Sequence, residues 1–562
     1  SKVNVWGGLS VLAPDALSSV AYGTQEILIE LSAVGTAALW YSLPISLLIG
    51  TLLTFLIFSY RRLIEAYPGG GGAYVIGRDT LGTNVSLLAG AALLIDYTLT
   101  VAVSVTAGVE AIVSAFPSLA VWTVPLNILI IFFITMVNLR GVREAAKLFA
   151  FPTYLFILMV LGMVAIGLLT HSPHAPTLHQ YIHPQISIGA VGILVLLRAY
   201  SSGSSALTGV EAISNGVPIF QDVAYKRAKM AELFLGLFLG SMFLGTSIIA
   251  FKFHVIPNNQ VTVLQQLAND LFGKGLYFYV LSFVTMAILA VAANTSFTGF
   301  PQLASIMARD KWMPRMFLSR GDRLVYQNGI IVLSIIASLL IIIFNGNTNS
   351  LIPLYAIGVY ISFTITQTSL IKRYLTEKDN PLFQKHLSSV PLIAIGAMLT
   401  ALVVVISIIS KFMEGAWIVV IAIPLIILSM HRIRRHYNAI AKELRFTDFS
   451  IKPQKRPLTV IVPVASVNRM LVSTLSYAVS ISDNVIALNV AQTPEQEQAL
   501  QAKWNAWHPD DHIKLVVLQT QFRSIIRPIL RYIEHFSNQD KERRIMVLIP
   551  EFVVGRTWEN FL

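Results

Sequence analysis

Asp15, Ser18, Ser19 and Tyr22 stand at i, i+3, i+4 and i+7 in LAPDALSSVAYG, so one helical face carries a carboxylate and three hydroxyls. A second set, Ser204, Thr208 and Glu211 at i, i+4 and i+7, lies in SSALTGVEAISNG. A third follows Asp96, where Tyr97, Thr100 and Ser104 fall at i, i+3 and i+7. Three stripes of oxygen with two or three acids and no lysine make a site for a cation. They do not make an enzyme, because no nucleophile, base and orienting group recur together.

The setting makes these residues costly. Hydrophobic residues form 55% of the 562, charged residues only 12%, and the mean hydropathy is +0.67, which places the chain among integral membrane proteins. A charged carboxylate at the bilayer centre costs about 2.5–3.5 kcal/mol, and Pro14 removes a helical hydrogen bond that lipid cannot replace. Intramembrane acids are therefore read as functional. The formal net charge of +12 comes from short basic clusters between apolar runs, a topogenic pattern that excludes a nucleic-acid partner. There is no cysteine, hence no disulfide or thiol chemistry.

Apolar runs near the ~20 residues that cross a bilayer give about twelve spans, at 7–31, 41–63, 85–115, 121–137, 147–169, 188–212, 231–253, 276–307, 330–344, 351–371, 390–409 and 416–430. Arginines and lysines concentrate in alternate connections, as at Arg61, Arg62 and Arg78, Arg140 and Arg143, Lys226, Arg227 and Lys229, and Arg432, Arg434 and Arg435. By the positive-inside rule both termini face the cytoplasm. The transmembrane domain is 1–435, followed by a linker at 436–457. Beyond it, β-branched runs (LTVIVPVA, NVIALNVA, IKLVVLQT) alternate with helical stretches, giving a cytoplasmic α/β domain with a parallel sheet over 458–562.

DALSSVA from Asp15 matches SALTGVE from Ser205, pairing Leu17 with Leu207, Ser18 with Thr208 and Val20 with Val210. Each falls where a span is interrupted, by Pro14 in the first and by Ser201, Ser202, Gly203 and Ser204 in the sixth. An offset of five spans, an odd number, reverses the orientation, so the architecture is a 5+5 inverted repeat with broken first and sixth helices and two appended spans. Asp96 either joins the site or neutralises Arg198, which also lies in a span.

PGGGGAYVIG, Pro68 to Gly77, resembles the glycine-rich cytoplasmic motif of the amino acid, polyamine and cation (APC) superfamily, whose members share the LeuT-like inverted repeat. The stretch from Asp15 to Tyr22 is similar to the signature of KUP potassium transporters, with Leu17 and Val20 in place of the usual glycine and proline. The resemblance implies potassium uptake across a bacterial cell membrane, with protons as the coupling ion and no other cofactor. It places potassium at Asp15, Tyr22, Tyr97, Thr100, Ser104, Thr208, Glu211 and Tyr355, with Glu211 and Asp15 carrying the coupling proton. It also implies a universal-stress-protein-like cytoplasmic domain that holds a homodimer and takes cyclic di-AMP as inhibitor.

Three alternatives are weighed against this. An amino-acid permease of the same fold presents helix-terminal amides to a substrate carboxylate, which Asp15 repels; a cationic amino acid or polyamine is compatible. A channel needs a ring of carbonyls from repeated subunits. The four glycines from Gly69 to Gly72 lack the Lys and Ser/Thr of a phosphate loop, and they read as a tight turn that flexes in gating. The histidines of HSPHAPTLHQYIH, from His171 to His183, read as a solvated loop.

Overall fold

A backbone in lipid finds no partner outside its own helix, and the apolar runs fold accordingly. The computed structural model describes residues 2–550 apart from 71, 141–144, 171–191, 259, 322–324, 378–383, 385, 446–455, 508, 510, 511, 521–524, 540 and 541. The histidine-rich segment lies outside the described residues. Two compact units result, Ser1–Leu444 and Arg445–Leu562.

The first span is three short helices, Val5–Leu12, Pro14–Ser18 and Val20–Ser32. The second to fifth are Ser42–Ala66, Thr83–Ala115, Thr123–Leu139 and Ala145–Leu169. The sixth is Ile193–Ser204, broken before Ala212–Asn215. The seventh to twelfth are Ala224–Lys252, Leu276–Arg309, Gln327–Ile343, Thr348–Thr376, Val390–Lys411 and Ala416–Glu443. Nine helices among the described residues are long and apolar enough to cross a membrane unaided; the ninth span is shorter, and the first and sixth are split. The twelfth runs to Glu443, into the segment expected as a linker.

Small residues set the close contacts, as they do where lipid supplies no hydrophobic drive. The second and seventh spans pack antiparallel: Gly50 meets Leu244, Gly240 meets Leu53, and Gly236 meets Ile57. The third span is buried along most of its length, while Leu129, Phe132 and Phe133 on the fourth and Leu425 and Leu428 on the twelfth are exposed on faces suited to lipid.

In the second unit, β1 (Leu458–Pro463), β2 (Asn484–Ala491), β3 (Ile513–Gln519) and β4 (Arg544–Val547) form a parallel sheet ordered β3-β2-β1-β4. Alternation along β1 and β2 sends Val460, Val462, Val485 and Ala487 to a face covered by Leu471, Leu475 and Trp504. Ile461, Ile486 and Leu488 meet Ile529, Tyr532 and Phe536 on the other. Helices on both faces are what a parallel sheet requires.

A close approach between the first, second and sixth spans gives a test. A Cβ on Gly203 would lie 2.3 Å from Ile27 Cγ1 and 2.8 Å from Ile49 Cδ1. Gly203→Val should lower stability by about 1–3 kcal/mol through overpacking, seen as a drop in the detergent melting midpoint; an unchanged midpoint would show that the contact can yield.

Candidate functional site

Both interruptions fall where backbone groups lose helical partners, and one side chain joins the two breaks. Pro14 opens the second helix of the first span, and Ser19 divides it from the third. Ser19 Oγ lies 2.6 Å from the Ala16 carbonyl and 2.5 Å from the Ala206 carbonyl, so one hydroxyl bridges the two broken spans.

In the sixth span the break lies later than its sequence suggests. Ser201 to Ser204 are helical. The chain then makes a single tight turn over Ser205–Leu207, extends at Thr208 (φ −65°, ψ 151°) and turns through Gly209 at φ +79°. Gly203 is a packing glycine; Gly209 is the one the turn requires, since φ there is left-handed. A Cβ on Gly209 would also stand 2.6 Å from Asp15 Oδ2 and 2.8 Å from the Ala16 nitrogen. Ser204, Thr208 and Glu211 therefore do not share a helical face, which corrects the stripe read from their spacing. The freed Ser204 carbonyl accepts from the Tyr360 hydroxyl of the tenth span at 2.8 Å.

Around the breaks most of the expected residues converge. Tyr22 hydrogen-bonds Thr208 and Tyr355, the Thr100 hydroxyl donates to Tyr355 Oη at 3.1 Å, and Asp96 Oδ1 lies 3.5 Å from Thr100 Oγ1. Asp96 and Tyr97 both lie within electrostatic reach of Asp15 and Glu211, and Tyr97 packs on Gly299 of the eighth span. Ser104 is buried one turn along the third span from Thr100. Asp15 Oδ1 and Glu211 Oε2 are buried with no hydrogen-bond partner among the described residues. Carboxylates without donors in such a place destabilise by several kcal/mol unless a cation or proton joins them.

The alternative partner for Asp96 is not taken. Arg198 Nη1 instead pairs with Glu414 at 2.9 Å, and its Nε donates to the Ser410 carbonyl at 2.9 Å. Spacing analysis missed the outer end of the bundle. Glu26 and Glu30 continue the Asp15–Tyr22 face at i+11 and i+15, a signal present in the sequence. Lys411, almost fully buried at the end of the eleventh span, pairs with Glu30 and lies 3.2 Å from Glu414, and Ser202 donates to Glu30 at 3.1 Å. Nothing in their sequence neighbourhood announces Lys411 or Tyr360. At the opposite end from Lys411, Lys229 pairs with Glu65, which also holds Arg62 at 3.3 Å and His386 at 3.4 Å. The glycine-rich turn seats Gly70, at φ +70°, against the Asn215 carbonyl, where a Cβ would come to 2.8 Å.

The second unit carries its own cavity of about 560 Å³ at the carboxyl ends of β1 and β2, lined by Val464, Ser466, Asn489 and Gln492 among others. Open parallel sheets bind ligands at such edges.

Residues 15–435 match the amino acid permease family model, and 454–562 match the KimA potassium transporter C-terminal domain. The chain is 41% identical over 566 aligned positions to the potassium transporter KimA of Bacillus subtilis (strain 168), covering 100% of this chain and 92% of that one. It is 26% identical over 396 positions to the probable potassium transport system protein Kup 1 of Bradyrhizobium sp. (strain ORS 278), with 65% and 60% coverage. To the low-affinity putrescine importer PlaP of Escherichia coli (strain K12) it is 23% identical over 357 positions, with 62% and 76% coverage. With a permease-type bundle, two interrupted helices facing one acidic pocket, and a full-length match carrying the same C-terminal domain, this chain belongs to the amino acid permease family, in the branch represented by the KimA potassium transporter.

Proposed function

We propose that this membrane protein takes up potassium by alternating access, driven partly by protons. One observation carries the reading: two buried carboxylate oxygens, Asp15 Oδ1 and Glu211 Oε2, lack donors beside a set of hydroxyls where two helices break. Potassium is large and weakly hydrated, so neutral oxygens from Tyr22, Thr100, Thr208, Tyr355, Tyr97 and Ser104 replace its water while Asp15 supplies charge. The 41% identity to a potassium transporter supports this cargo over the polyamine suggested by the 23% relative.

Energetics support a second driving charge. Concentrating a cation about 10,000-fold costs about 5.5 kcal/mol, and a membrane potential returns about 2.3 kcal/mol per charge per 100 mV. A proton that travels with potassium adds another charge moving down the same potential. Glu211 carries it, alternating with Asp15 as the group that is charged when potassium is bound. The basic connections place both termini in the cytoplasm, where the second unit holds a homodimer and its cavity receives cyclic di-AMP as an inhibitor.

Three outcomes check the reading. Asp15→Asn removes an ionic ligand valued at about 1.5–3 kcal/mol. The half-saturating rubidium concentration for uptake into proteoliposomes should therefore rise by about 10- to 100-fold, and an unaltered value would remove Asp15 from the site. Glu211→Gln should leave rubidium uptake independent of an imposed pH gradient; retention of the wild-type response would assign the proton elsewhere. Cyclic di-AMP should slow uptake by the full-length chain, with heat of binding in calorimetry, and failure of both would dismiss the nucleotide.

A further inference from the structure

Glu232 lies in the inner half of the seventh span, fully buried, with both carboxylate oxygens lacking a hydrogen-bond partner among the described residues. It belongs to none of the three oxygen-rich stripes. Its place follows from the packing of the second and seventh spans. Gly240 meets Leu53 and Gly236 meets Ile57, and Lys229 pairs with Glu65. The same antiparallel register sets Glu232 at the level of Tyr60 and Arg61. Arg61 Nε is likewise buried without a partner, so the acid and the base stand at one level with no hydrogen bond between them.

The charged and titratable groups near Glu232 are few. Arg61 and Tyr60 come from the second span and Glu211 from the sixth, whose inner helix Ala212–Asn215 packs between those two spans. On the fifth span, Tyr154 is committed to the Trp6 carbonyl at 2.6 Å. Asp270 follows the opposite end of the seventh span. Lys229 is one turn nearer the inner rim and already holds Glu65. A carboxylate with no donor in a buried site is strongly disfavoured, whereas the neutral acid is tolerated. The residue thus has the properties of a proton carrier, between the pocket and the Glu65, Lys229, Arg62 and His386 rim.

We propose that Glu232 is the inward proton station of this transporter. The inference rests on the proton-coupled reading given above. Glu232, neutral at rest, gives its proton to water at the rim, and the O–H bond on Glu211 then breaks as one re-forms on Glu232, so a negative charge moves outward to the pocket by one step while the proton moves inward. Arg61, close by and unengaged, steadies the brief carboxylate.

The test separates coupling from translocation. Purified full-length protein in proteoliposomes is measured for rubidium–rubidium exchange at equal concentrations, which needs no net proton movement, and for rubidium accumulation with proton uptake under an imposed pH gradient. Glu232→Gln, which imitates the neutral acid, should keep exchange and lose both gradient-driven accumulation and proton uptake. If it accumulates rubidium with the wild-type dependence on the gradient, Glu232 is not the station. Should exchange be lost as well, recovery of exchange and coupling by Glu232→Asp would still demand an acid there and support the assignment; loss in both variants marks a packing role and overturns it. A wild-type protein that moves rubidium with no proton uptake overturns the coupling reading and this one together, an outcome distinct from the failure of the variant alone.

Discussion

The interior of a bilayer offers no water to a freed backbone group, and this single deficit shapes the molecule. A helix can be interrupted there only if something else takes its carbonyls and amides. In this chain side chains of the first and tenth spans do so: the Ser19 hydroxyl reaches the Ala206 carbonyl across the repeat, and Tyr360 covers the Ser204 carbonyl. The backbone can come so close only because Gly209 has no Cβ to strike Asp15. Satisfaction of the main chain leaves the side-chain carboxylates as the groups still wanting a partner. The cation proposed for this pocket would answer a need left by how its backbone was accommodated.

The same economy governs both ends of the bundle. Facing helices leave little room for long side chains, so charges gather where the helices terminate: Lys411, Arg198, Glu30 and Glu414 on one side, Lys229, Arg62, Glu65 and His386 on the other. Each cluster joins at least two spans through ion pairs that are largely desolvated, where removing one partner costs far more than removing both. Between them the third span, rich in alanine, is buried along most of its length, which lets its neighbours pack closely on it.

Much of this was legible in the letters. The five-plus-five arrangement showed itself because Leu17, Ser18 and Val20 repeat as Leu207, Thr208 and Val210, and the α/β unit because β-branched runs alternate with amphipathic helices. Asp15, Tyr22, Thr100, Thr208 and Glu211 drew notice because acids and hydroxyls are rare enough in lipid to stand out, and the fold brings them near the two breaks. The position of the second break was not legible. Gly203 and Gly209 look alike in a sequence, and only tertiary packing decides that one admits Ile27 and the other a left-handed turn. Arg198 was ambiguous for a similar reason: its partner, Glu414, lies more than 200 positions away, on a short connection that no local pattern links to it. Periodicity reports which residues share a face of one helix, and it is silent on which helices meet.

Potassium and the proton are both single positive charges, yet a pocket that treats them alike would couple neither. Geometry separates them. A potassium ion needs several oxygens at once and, in the proposed function, is held where Tyr22, Thr208, Tyr355 and Thr100 crowd together. A proton needs one oxygen and can leave along any chain of acids and hydroxyls. From Glu211, the acids Asp15 and Asp96 lie within the hydroxyl-lined pocket, whereas Glu232 stands apart from it, beside Tyr60 and Arg61, on a helix that begins at the inner rim. On the proposed function, the two cargoes are bound in one chamber and released by different doors, because only the smaller can use a path in which consecutive sites offer a single ligand.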